Sequence, residues 1–427
     1  MITKPKSKLL WLLLVVCLFR TAILLILSDQ LTTNLENDKD LYLHLGRSLA
    51  ESSAYERYNE PTAFRPVLYP LLIAAGIKSG ITAKVWIMIL HVSLAMGTVW
   101  LTVVLGRHVK DEKTGWVAGI LVMVDPILLH QSIWVMTETL ATFLAVLTML
   151  CVAKLLEKPK PLNVLLTALS FSLAGYCRPT FYVYALFTLI LLLLVLQTSF
   201  LKRFMISSAI GCLILLTLSP WVYRNYQLFN KPVFATTHGG YTLLLGNNPL
   251  YYQQLNQNAA LYSAKPFDEG VRRFHVSEDP SYDFWSAEAS LGKRVVTRNE
   301  AQLDSFNYSV AFHYINESFA DFSRGCLSRV KAFWTPLPNA VPERSNTERY
   351  AIGIWYSLIY LLIINFTVFH RRQWFHSGLL AGFCLVVTFT MTHAIFWSNM
   401  RMRAPLIPTL CLIAAISFLG PKTASDR

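Results

Sequence analysis

Apolar and polar stretches alternate ten times along the chain. The apolar ones run roughly over Leu9–Leu27, Thr82–Leu105, Gly115–Leu129, Thr137–Leu156, Leu162–Cys177, Thr180–Leu196, Phe204–Val222, Tyr350–Phe369, Ser377–Trp397 and Ala404–Leu419. A bilayer core takes about 20 helical residues, and lipid offers no partner to a backbone N–H or C=O, so each stretch is expected as a helix. Two polar stretches are longer than a turn. The first, from Ser28 to Arg65, holds a helical pattern in which Leu41, Leu45 and Leu49 share a face with Tyr42. The second, from Tyr223 to Arg349, has the composition of a soluble domain. The expectation is an all-α polytopic membrane protein of about ten transmembrane helices with a small, mainly α extracytoplasmic domain. Residues 1–222 would carry spans one to seven and residues 350–427 the last three. Residues 223–349 would form the extracytoplasmic domain.

Composition supports that class. Mean hydropathy is +0.42, and only 15% of residues are charged, against about 25% in a soluble domain. The net charge of +13 reads as topology rather than nucleic-acid binding. Arg107, Lys110 and Lys113, then Lys154, Lys158 and Lys160, Lys202 and Arg203, and Arg371 and Arg372 all fall in loops expected inside. Lys4, Lys6 and Lys8 precede an apolar run too long for a cleaved leader, so the first span is expected to stay, with its N-terminus in the cytoplasm of an inner (plasma) membrane protein. Six of the seven cysteines lie in or beside apolar segments and only Cys326 in a polar one. They read as small buried hydrophobes rather than as disulfides or zinc ligands.

Against this charge bias, Arg178, Arg401 and Arg403 fall in short loops expected outside. The bland reading is anchoring to lipid head groups. Three such arginines together point instead to an anionic ligand, because the planar guanidinium fork matches two phosphate oxygens. Arg65 and Arg224 stand at similar heights, and Arg20 interrupts the first span. Asp38 and Asp40 lie in the first outer loop. One of them is expected to cap the helix that follows, leaving the other for base chemistry: taking a proton from an acceptor while fixed arginines hold a departing phosphate. Glu138 opens the fourth span, where an acid complements the helix dipole. His130, His393 and Trp397 read as interfacial aromatics.

Taken in order, these pieces resemble the polytopic class C glycosyltransferases, which use lipid-linked sugars. The branch is that of bacterial protein O-mannosyltransferases and aminoarabinose transferases. The resemblance rests on Asp38-xxx-Tyr42, Phe64-Arg65-Pro66-Val67-Leu68-Tyr69-Pro70, Met136-Thr137-Glu138-Thr139-Leu140, Arg178-Pro179, Pro220-Trp221-Val222-Tyr223-Arg224-Asn225-Tyr226, Gly246-Asn247-Asn248-Pro249, Lys331-Ala332-Phe333-Trp334 and Arg401-Met402-Arg403-Ala404-Pro405. It implies inverting transfer from a polyprenyl-phosphate sugar to an envelope glycan, lipid or protein acceptor at the extracytoplasmic face. Asp38 and Asp40 would be the catalytic acids. Arg65, Tyr69, Glu138, Arg178, Arg224, Arg401 and Arg403 would bind substrate. No metal site is expected, although the loop carboxylates leave a divalent cation open. Two departures stand out: Val67-Leu68 replaces a Pro-Gly pair frequent in relatives, and Lys39 separates the two acids where relatives carry Asp-Glu. The alternatives are a flippase of lipid-linked sugar and a periplasmic oligosaccharide polymerase or ligase.

Overall fold

A computed structural model describes residues 5–256, 299–340 and 344–420. Part of the expected extracytoplasmic domain, 257–298, lies outside the described residues. The described residues are helical nearly throughout. It opens with α1 (Pro5–Ile26), α2 (Ser28–Asn37) and α3 (Tyr42–Glu51), then a two-stranded antiparallel ribbon of β1 (Glu56–Arg57) and β2 (Glu60–Pro61). There follow α4 (Leu68–Lys78), α5 (Ala83–Val109), α6 (Glu112–Met123), α7 (Pro126–Gln131), α8 (Glu138–Glu157), α9 (Pro161–Cys177), α10 (Thr180–Val195) and α11 (Phe200–Phe229). The second polar stretch supplies α12 (Gly239–Gly246), α13 (Pro249–Asn256), α14 (Glu300–Glu317) and α15 (Phe319–Trp334). The chain ends with α16 (Asn346–Phe369), α17 (Ser377–Ile395), a 3-10 turn (Met400–Leu406) and α18 (Ile407–Leu419).

Among the described residues seven helices are long and apolar enough to cross a bilayer, which makes the protein a helical polytopic membrane protein. Three further expected spans coincide with shorter helices: α6 of 12 residues, α9 of 17 and α10 of 16. The expected third span, Gly115–Leu129, is interrupted before its end. Asp125 takes extended φ/ψ, Pro126 fixes the first position of a new helix, and the Asp125 carboxylate accepts the Leu128 N–H at 3.1 Å. The helix that begins there, α7, is a separate six-residue element with Ile127, Leu128 and Gln131 buried.

Burial orders the spans. Only 22% of the spanning windows of α1 and α16 is buried, against 72% for α8 and 83% for Met400–Leu419. Leu10, Leu14, Leu18 and Leu25 on α1 are left for lipid. The two central helices pack on α5 and α6, which meet closely because a Cβ on Gly106 would lie 2.5 Å from Gly115 Cα. The N-terminal ends of α8 and of Met400–Leu419, which carry Glu138 and Arg401, therefore lie over the middle of the bundle.

Candidate active site

The first loop folds over that centre, and it turns sharply between its first two helices. Asp38 (φ 30°) and Leu41 (φ 61°) both take left-handed backbone, which costs a bulky residue such as leucine roughly 1–3 kcal/mol and is retained where surroundings over-determine it. The turn points the Asp38 carboxylate at the open N-terminus of α3, where it accepts the N–H of Leu43 at 3.1 Å and of His44 at 2.7 Å. Asp38 is the helix-capping acid of the pair. Burial raises its pKa above the usual carboxylate value, and the two backbone N–H groups pull it part of the way back.

Asp40 makes a different bond. Its Oδ1 pairs with Arg65 Nη2 at 2.5 Å, and its carbonyl accepts Arg65 Nε at 3.1 Å. The Arg65 guanidinium also lies 5.6 Å from the Tyr42 ring centroid. Tyr42 packs edge-on against Tyr69 at 5.5 Å. The Tyr69 hydroxyl meets His91 Nε2 at 2.7 Å, and His91 Nδ1 lies 2.7 Å from Ser132 O. A carbonyl only accepts, so Nδ1 carries the proton and Nε2 accepts the tyrosine hydroxyl.

Below the two tyrosines lies the second cluster. Glu138, at the start of α8, is 1% exposed. Its Oε1 stands 2.8 Å from Arg178 Nη2 and 3.6 Å from Arg401 Nε. Arg178 also donates Nε to Thr137 Oγ1 at 2.8 Å, and Arg401 lies against the Met136 thioether. Two guanidinium groups share one carboxylate, so the cluster keeps a net positive charge. The clusters are joined through the tyrosines: the Tyr42 hydroxyl is held up to about 12 by burial against the pull of Arg65, with Asp40 and Arg178 also acting on it. Five of the seven expected substrate-binding residues — Arg65, Tyr69, Glu138, Arg178 and Arg401 — thus gather with Asp38 and Asp40.

The other two take structural positions. Arg403 is fully buried, donates to Phe333 O at 2.9 Å and Thr335 O at 2.7 Å, and stacks 4.1 Å from the Tyr356 centroid. Tyr356 in turn donates to Asp125 at 2.9 Å. Arg224 donates to Thr62 O at 2.7 Å and Tyr55 O at 3.0 Å, and so ties the first loop to α11. Sequence reasoning missed Glu300, which accepts from the Thr62 hydroxyl at 2.5 Å, from Ala63 N at 2.7 Å and from the Thr237 hydroxyl. It also missed Arg329, which is 2% exposed and bonded to Gly246 O and to Ala394 O at 2.7 Å. Neither residue carries a local signal, because the carbonyls and hydroxyls that hold them are remote in sequence. Among the described residues no group of three His, Cys, Asp or Glu is placed to hold a metal ion.

No family profile matches the chain, and no curated protein matches it in sequence. Solved structures do match. The archaeal oligosaccharyltransferase AglB from Archaeoglobus fulgidus, in complex with an inhibitory peptide and a dolichol-phosphate, aligns with a TM-score of 0.50 at 14% identity, over 96% of this chain and 50% of its own. The apo oligosaccharyltransferase of the same organism aligns with a TM-score of 0.51 at 13% identity, over 94% and 50%. ArnT from Cupriavidus metallidurans bound to undecaprenyl phosphate is found at a TM-score of 0.45 and 10% identity, over 98% and 78%. The fold is that of the polytopic class C glycosyltransferases, as the motifs implied. The chain spans about half the length of the oligosaccharyltransferases it matches.

Proposed function

We propose that the protein is an inverting membrane glycosyltransferase that moves a sugar from a polyprenyl-phosphate donor to an envelope acceptor at the extracytoplasmic face. The observation that carries this reading is the shared position of Glu138, Arg178 and Arg401 beneath the Asp38–Asp40 turn. In the reaction an acceptor hydroxyl or amine attacks the anomeric carbon, the bond from that carbon to the phosphate oxygen breaks, and the acceptor's proton passes to a carboxylate. Asp38 takes that proton while also capping α3, unlike the expected division in which the capping acid leaves the other free, because Asp40 is held by Arg65 and burial raises the proton affinity of Asp38. Asp40 orients Arg65. Arg178 and Arg401 receive the charge that builds on the leaving phosphate, and they need no reorganisation because Glu138 already fixes them. A single displacement inverts the anomeric centre. Arg224 and Arg403 hold the loops that carry the other residues. The dolichol-phosphate held by the oligosaccharyltransferase of the same fold agrees with a lipid-phosphate donor. Positive charge concentrated in the opposite loops supports the extracytoplasmic face and an inner-membrane location.

The test is incubation of the purified protein with radiolabelled polyprenyl-phosphate sugars and envelope extract. Label should enter an acceptor with the wild type and not with Asp38→Asn. Transfer at the wild-type rate in that variant removes the base assignment. Transfer only from diphosphate-linked oligosaccharides would favour the polymerase or ligase instead.

A further inference from the structure

Beside the acid turn, the loop between α7 and α8 presents a flat aromatic surface. The rings of Trp134 and His130 are 12° from parallel with centroids 6.1 Å apart, and Trp134 Nε1 donates to His130 Nδ1 at 3.2 Å. An indole N–H and an imidazole lone pair both lie in their ring planes. The two rings therefore meet edge to edge and form one extended shelf. Both are only partly buried. Burial, with Arg344 and Arg401 nearby, holds His130 down at about 4, so the ring is neutral at pH 7 and able to accept the indole proton.

Cations surround the shelf. The exposed Lys39, between the two acids of the first loop, places its ammonium 5.6 Å from the Trp134 ring centroid. The charges of Arg344 and Arg401 both act on His130 and lower its proton affinity. Arg344 has Glu348 at the long distance of 3.7 Å, and Arg401 shares Glu138 with Arg178. Among the described residues no carboxylate pairs with Lys39. Lys39 and Arg344, beside one aromatic plane, thus have less negative charge than they match.

A flat indole binds the apolar face of a pyranose, and unmatched cations bind an anion. We propose that Trp134 and His130, rimmed by Lys39 and Arg344, form a saccharide subsite for a sugar that carries an anionic substituent, a carboxylate or a phosphate. Its place next to Asp38 and Asp40 makes it the acceptor subsite. Assigning the bound sugar as acceptor rests on the transferase reading, whereas binding of an anionic sugar does not.

The experiment uses the full chain in lipid nanodiscs, without donor lipid. Saturation-transfer NMR titrations compare methyl glucoside, methyl glucuronide, methyl glucoside 6-phosphate and inorganic phosphate. At least one charged sugar should bind about tenfold more tightly than methyl glucoside, and the stronger of the two names the substituent. Trp134→Ala should abolish sugar binding and Trp134→Phe should retain it. Lys39→Gln with Arg344→Gln should lower the charged sugar to the level of methyl glucoside, with unchanged thermal midpoint. Equal affinity for neutral and charged sugars overturns the subsite. So does inorganic phosphate binding as tightly as the phosphosugar, or charged-sugar binding that survives both Trp134→Ala and the double substitution. Because no turnover is read, failure here leaves the transferase reading intact, and failure of the Asp38→Asn transfer assay leaves the subsite intact.

Discussion

Arg178 separates a substrate-binding arginine from one that merely neutralises a buried acid. The Arg178→Ala change leaves Glu138, 1% exposed, with Arg401 alone at 3.6 Å. Breaking a buried ion pair from one side costs about 3–5 kcal/mol, so the single variant should lose stability and affinity together and decide nothing. Pairing Arg178→Met with Glu138→Gln removes both charges at similar volume, and such replacements are often neutral for stability. The double variant should therefore recover its thermal midpoint. If Arg178 also grips the donor phosphate, that recovery does not extend to binding. A charge-assisted hydrogen bond contributes about 1.5–3 kcal/mol, so the affinity for a short-chain polyprenyl phosphate should stay about 10- to 150-fold below wild type. Arg178→Lys keeps the charge but offers one point donor in place of a fork that already engages Glu138 and Thr137, and it should fall between. The assay is equilibrium binding of a fluorescent polyprenyl monophosphate to detergent-purified protein, read beside thermal unfolding. Wild-type affinity in the double variant would show that Arg178 serves Glu138 only, and the phosphate role would be wrong.

Three further outcomes follow from other contacts. Asp38→Asn keeps one of the two oxygen acceptors for the α3 N–H groups and should abolish transfer with a smaller loss of stability than Asp38→Ala, which should lose about 0.5–2 kcal/mol as a missing cap, measured by chemical denaturation in detergent. Asp304 accepts Gly240 N at 2.7 Å, and burial with Glu300 nearby raises it from 3.8 to about 6. Its native carboxyl holds a proton more tightly than the unfolded one, so its contribution is full below about 3.8 and lost as pH rises through about 6. Asp304→Asn, neutral throughout, should gain stability relative to wild type between those values, and a constant difference in thermal midpoint from pH 4.5 to 7.5 would contradict this. Glu300→Ala frees the hydroxyls of Thr62 and Thr237 and the N–H of Ala63. It should make the first loop more sensitive to limited proteolysis while helicity by circular dichroism stays unchanged.

How much of this was legible depended on the range of the interactions. Hydrophobic period and charge bias expose the spans, because lipid contact and backbone satisfaction act on each helix by itself. The break at Asp125-Pro126 was equally local, yet the surrounding apolar run masked it and extended the third span too far. Within the site, the capping role of one acid was readable from its place before a helical pattern, and Asp38 takes it. Arg178 and Arg401 stood out because their charge opposed the expected topology. Arg403 looked the same in sequence, but its guanidinium turns into the bundle toward Phe333 O and the Tyr356 ring. Two residues along a 3-10 turn reverse direction, and whether the second meets the site or the core is decided by helices that come from elsewhere in the chain.

Glu300 lies 238 positions after Thr62, its hydrogen-bond partner. Chain synthesis runs from the N-terminus, so the segment carrying both acids emerges and waits while most of the bundle is still being inserted. Only when α14 arrives does that segment acquire its last anchor, after a long loop has been closed. A half-made polypeptide thus holds Asp38 and Asp40 on a loop that still lacks its Glu300 anchor.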